Sequence, residues 1–119
     1  MTQINSVLGP IDSSDLGFTL MHEHVMVAAS GVSKSYPDLL GPNREERAIA
    51  CLKKAKAKGI NTLLDATTFD LGRDPELLRH VAFEFGAYIS NVTGWWLYVR
   101  GFLVGGGADP MADAFIRGI

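Results

Sequence analysis

The chain has 119 residues, 47% of them hydrophobic and 20% charged, which excludes a disordered tail and lets one domain bury roughly 65% of its unfolded surface, yet falls well short of the about 250 residues of a complete (β/α)₈ barrel. Thirteen acidic against eleven basic residues give a formal charge of −2 with no basic cluster, so nucleic acid is not an expected partner. Cys51 is the single cysteine; it excludes an intrachain disulfide framework and suits a reducing compartment, and with the first basic residue at Lys34 and no apolar run near about 18 residues, the expectation is a cytoplasmic chain without signal peptide or membrane span.

Residues 3–8 and 11–17 read as short extended pieces around a turn at Gly9-Pro10, a small N-terminal β-hairpin. Residues 18–22 are apolar, β-branched or aromatic, and predict a buried strand. After a loop with Pro37, Gly41 and Pro42, residues 44–58 place Ala48, Leu52 and Ala55 on one helical stripe, and Gly59 sits where a left-handed cap belongs. A second strand over 60–64 ends in Asp65. Asp74-Pro75 then opens a helix, because the aspartate accepts from free first-turn amides and proline has none to lose. Its buried stripe is Leu77, Leu78, Val81, Ala82 and Phe85, closed by Gly86, and residues 87–92 make the third strand. Trp95, Trp96, Leu97 and Tyr98 follow, then a glycine-rich linkage over 101–107, and Asp109-Pro110 repeats the helix-start signature before a short helix over 111–117. Strands alternating with helices predict α/β architecture with a parallel sheet.

The residues that point to chemistry are His22, Glu23 and His24 at the end of the first main strand. Positions i and i+2 on a strand share a face about 6.6 Å apart, so two imidazoles can converge on one ion. Glu23 is expected on the opposite face. The C-terminal ends of strands are also where parallel α/β sheets bind ligands. Of the remaining candidates, His80 reads as a partly exposed helical residue, Cys51 as a small buried one, and Asp65 either as a functional group or as the cap of the next turn. Trp95 and Trp96 are adjacent and face opposite ways, so one belongs to the core. The glycines of 101–107 lack the Lys-Ser/Thr of a phosphate loop.

The run Leu8-Gly9-Pro10-Ile11-Asp12, the run from Asp15 to His24, Leu71-Gly72-Arg73-Asp74 after the second strand and Thr93-Gly94 after the third together resemble the phosphotriesterase family of the amidohydrolase superfamily. The resemblance implies a (β/α)₈ barrel of which residues 1–119 are one partial domain, the first three strands. It implies a two-metal hydrolase of phosphotriesters, lactones or related small-molecule esters, with zinc the first choice of divalent metal. In that family His22 and His24 bind the more buried ion, and the aromatic segment, Trp96 and Tyr98, lines the substrate pocket. The remaining ligands, a carboxylated lysine, two histidines and an aspartate, belong to later strands, and Arg100 stands where relatives carry an aspartate. A 119-residue chain is therefore expected to be inactive alone. The alternatives are a catalytically inactive relative that binds or assembles, forming a homo-oligomer through exposed sheet edges, and a nucleotide-binding α/β protein, which the absence of G-x-G-x-x-G after the first strand disfavours.

Overall fold

Helix, glycine and strand follow one another at both of the places where the sequence predicts it. In the computed structural model, which describes residues 2–97 and 105–118, helix α2 spans Arg44–Ala57 and leads through Gly59 into strand β4, Ile60–Asp65. Helix α3, Pro75–Phe85, leads through Gly86 into strand β5, Tyr88–Asn91. Glu45 and Glu46 in the first turn of α2 and Lys54 and Lys56 in its last complement the helix dipole. Asp74 caps α3 by accepting from the Leu77 amide at 3.1 Å, and at the other end Gly86 takes φ +68, a left-handed conformation glycine adopts without strain, and donates to Ala82 O.

Strand β3, Phe18–Glu23, lies parallel to β4, and β4 lies parallel to β5, giving the order β3-β4-β5. Parallel neighbours cannot be joined by a tight turn, so α2 and α3 serve as the crossovers. Leu63 of β4 and Ile89 of β5 meet Leu78, Val81, Ala82 and Phe85 of α3 in the one buried cluster among the described residues. Each of the larger side chains contributes about 1.5–3 kcal/mol by leaving water. The remaining apolar stripe of α2, Ile49 and Leu52, packs against this cluster from its edge.

An antiparallel hairpin, β1 (Gln3–Ser6) with β2 (Gly9–Asp12), docks on β5. Val7 N donates to Ile89 O at 2.8 Å, Ser90 Oγ to Asn5 O at 2.8 Å and Arg79 Nε to Val7 O at 3.1 Å. Two further α-helices are short: α1, Val32–Ser35, and α4, Ala108–Ile116. No helix among the described residues is long and apolar enough to cross a membrane.

Four expectations are corrected. The hairpin turns at Val7 and Leu8, not at Gly9-Pro10, which instead opens β2, with Pro10 opposite Asn5; proline is tolerated there because the strand is at an edge. Strand β3 is not buried. Its only neighbour among the described residues is β4, and Phe18 and Met21 are 65% and 66% exposed. Cys51 is exposed rather than buried, because it lies at the margin of the α2 stripe. Helix α4 starts at Ala108, with Gly107 rather than Asp109 at the cap position; Pro110 falls in the first turn, where it costs no hydrogen bond.

Candidate functional site

The carboxyl ends of β3 and β4 and the loops that leave them carry the candidate chemistry. Strand β3 stops at Glu23, so His22 is its penultimate residue and His24 the first beyond it, and the register against β4 slips between Leu20 and Glu23. The two imidazoles nevertheless meet edge to face, with ring centroids 5.3 Å apart and planes at 74°. Glu23, expected to face away, borders the same apolar recess of about 210 Å³ as His24, with Ala48, Leu52 and Ala55 of α2.

His24 is held from the loop that leaves β4. Its Nδ1 lies 3.0 Å from Thr67 Oγ1. Thr67 is placed in turn by Asp65, whose Oδ1 accepts from the Thr67 amide at 2.8 Å while Oδ2 accepts from the Val25 amide at 2.9 Å. Asp65 and Thr67 are only 1% and 2% exposed. A carboxylate this deep needs partners for its lone pairs and a counter-charge. The two amides supply the first. Arg73 answers the second: burial lowers its pKa, and the charge of Asp65 opposes that shift. With the Asn91 amide oxygen turned toward it, Arg73 also donates to Asn91 from Nη2 at 2.7 Å and Nε at 2.9 Å. The guanidinium lies 5.1 Å over the Phe69 ring and donates to Gly118 O.

The loop after β4 also organises the aromatic segment. Asp70 accepts from Thr68 Oγ1 at 2.7 Å and from the amides of Trp96 at 2.8 Å and Leu97 at 3.2 Å. Burial raises its pKa, but the hydrogen bonds from Thr68, Trp96, Leu97 and its own amide outweigh that and hold it at about 2. Trp95 packs between Phe69 and Phe115, with ring centroids at 5.2 and 5.3 Å, whereas Trp96 is 63% exposed. The two tryptophans divide as partly buried and exposed. No hydrogen bond or ring contact joins Trp96 to either histidine among the described residues, and Tyr98 and Arg100 lie outside those residues. His80 is on the surface of α3, 3.3 Å from Glu45.

His22 and His24 thus stand side by side, with Nδ1 of the second within hydrogen-bond distance of Thr67 Oγ1. Among the described residues no third His, Cys, Asp or Glu joins them. Of the groups that shape this region, Thr67 and Asp70 carried no sequence signal, since each acts through a partner 26 to 43 residues away.

A profile of the phosphotriesterase family matches residues 2–119. A curated protein described as "Phosphotriesterase homology protein" from Mycobacterium tuberculosis is 36% identical over 130 aligned residues, covering all of this chain and 40% of its own length. An "Aryldialkylphosphatase" from Saccharolobus solfataricus is 34% identical over 112 residues, covering 92% of this chain and 36% of its own. The solved structure of the phosphotriesterase from Mycobacterium tuberculosis superposes with a TM-score of 0.89 at 36% identity, over 99% of this chain and 40% of that one. The hairpin and three parallel strands match the N-terminal part of that barrel, so the chain spans about two fifths of the length of the relatives it matches.

Proposed function

Because this chain belongs to the phosphotriesterase family, we propose that it carries the first part of a metal-dependent hydrolase site acting on phosphotriesters, lactones or related small-molecule esters. The observation that supports this reading is the ring-to-ring pair of His22 and His24 at the carboxyl end of β3. The donor set fits a divalent cation in part: two imidazoles, one with its Nδ1 already engaged by Thr67, suit zinc-type coordination but leave other positions for groups on other strands. A bound cation supplies Lewis acidity that activates water and polarises the ester oxygen. This chain's own part is to present the imidazole nitrogens and to fix the His24 ring through Thr67. Trp96, exposed and pinned at its backbone by Asp70, is suited to pack against an apolar leaving group, with Tyr98 beside it in sequence. The name of the aryldialkylphosphatase relative favours a phosphotriester among the substrate classes. We take the compartment to be cytoplasmic, on the strength of the single cysteine.

Zinc titration of the purified 119-residue chain tests the reading. The expected result is uptake of one equivalent that His22→Ala and His24→Ala each weaken at least tenfold, without hydrolysis of an aryl phosphotriester or lactone by the chain alone. Zinc content indifferent to both substitutions overturns the metal assignment. A second reading, a non-catalytic assembly module, draws on the exposed β3 edge, with Phe18 and Met21 both about two-thirds exposed. It predicts a homo-oligomer in sedimentation that Met21→Lys disperses.

A further inference from the structure

Resting on the metal reading above, we infer that Thr67 is a positioning residue that commits His24 to ligation through Nε2 by accepting a hydrogen bond from Nδ1–H. A neutral imidazole has one protonated and one lone-pair nitrogen, and the hydrogen bond made by one decides what the other can do. Thr67 Oγ1 stands 3.0 Å from His24 Nδ1 in a residue only 2% exposed, so water has little access to that nitrogen's partner. The hydroxyl has little freedom to leave. The Thr67 amide is tied to Asp65 Oδ1, and the other oxygen of the same carboxylate holds the Val25 amide, the peptide directly after His24. One buried carboxylate thus fixes both the backbone that carries the ligand and the residue that orients its ring. The charge of Arg73, itself held to Asn91 of β5, interacts with that carboxylate. Such outer contacts change metal affinity by about 10- to 100-fold in other sites.

Long-range ¹H–¹⁵N correlation on the metal-free chain, at a pH where imidazole is neutral, reads the tautomer directly. His24 is expected in the Nδ1–H form in the parent chain and in Thr67→Ser, and in the Nε2–H form in Thr67→Val, while His22 is unmoved. Zinc affinity should fall about 10- to 100-fold in Thr67→Val and be restored in Thr67→Ser. If Thr67→Val does not fold, Thr67→Ala replaces it. A parent chain with His24 in the Nε2–H form, or a Thr67→Val chain with unchanged tautomer, overturns the inference. A parent chain that takes up no zinc overturns the metal reading instead, and the tautomer comparison still decides the role of Thr67.

Discussion

A Cβ on Gly72 would stand 2.5 Å from the carbonyl oxygen of Ala28. The loop leaving β3 and the loop leaving β4 are stitched together at this point, with Ala28 N donating to Leu71 O at 3.0 Å and Ser30 N to Asp70 O at 3.2 Å. Gly72 also sits at φ +85. Gly72→Ala therefore meets both a left-handed backbone and a backbone atom that cannot turn aside. The expected loss is about 2 kcal/mol or more in urea unfolding, and a loss below about 0.5 kcal/mol would mean the two loops part easily.

Asp65 has no exposed route to water, so its replacement strands the amides it serves. Asp65→Ala should cost roughly 2–5 kcal/mol, since both the Val25 and Thr67 N–H groups lose their acceptor. Asp65→Asn retains one acceptor oxygen and should fall between that and the parent. Equal stability of the alanine and asparagine variants would show that the paired acceptors are not what the site depends on.

Asp70 gives the acid dependence a defined window. Its pKa in the folded chain is about 2, below the ordinary 3.8, because the Thr68 hydroxyl and the Trp96 and Leu97 amides favour the carboxylate more strongly than burial opposes it. Protons therefore bind the unfolded form more readily, and stability present above pH 3.8 is lost as pH falls from 3.8 through about 2. The parent chain should exceed Asp70→Asn in stability near neutrality and lose that advantage across this window. An advantage that persists unchanged to the low end would contradict the assignment.

Adjacent tryptophans should respond oppositely to truncation. Trp95→Ala removes the ring between Phe69 and Phe115 and should destabilise by about 3 kcal/mol. Trp96→Ala, at a side chain 63% exposed, should stay within about 0.5 kcal/mol. If Trp96 serves the substrate pocket, the same change in a catalytically active protein raises KM without lowering Tm.

The local features were legible in the sequence and the long-range ones were not. Asp74-Pro75 and Gly86 bound α3 because capping is settled within one helical turn. His22 and His24 stand out through their spacing at the end of a predicted strand, and their rings do meet. The turn at Val7 and Leu8 was hidden because Gly9-Pro10 is the stronger turn signal, and only pairing with β1 shows that Pro10 lies on an edge. The exposure of Phe18 and Met21 depends on which strands flank β3, a property of the assembled sheet rather than of the run itself. Asp65 was open between capping and function, and it does cap, through the Thr67 amide. Its second amide, Val25, is 40 residues earlier in the chain, beyond the reach of any local pattern.

The docking of the hairpin on β5 also bears on how the chain is made. Val7 finds its partner in Ile89, so during synthesis the hairpin must wait for some eighty more residues, several seconds at roughly 5–20 residues per second. Closing a loop of that length costs only slowly more than closing a shorter one. During that interval Val7 and Leu8 have nothing to rest on, and the β3-α2-β4 unit, whose contacts are local, is free to form first. The hairpin is thus a latch that cannot close until β5 has arrived.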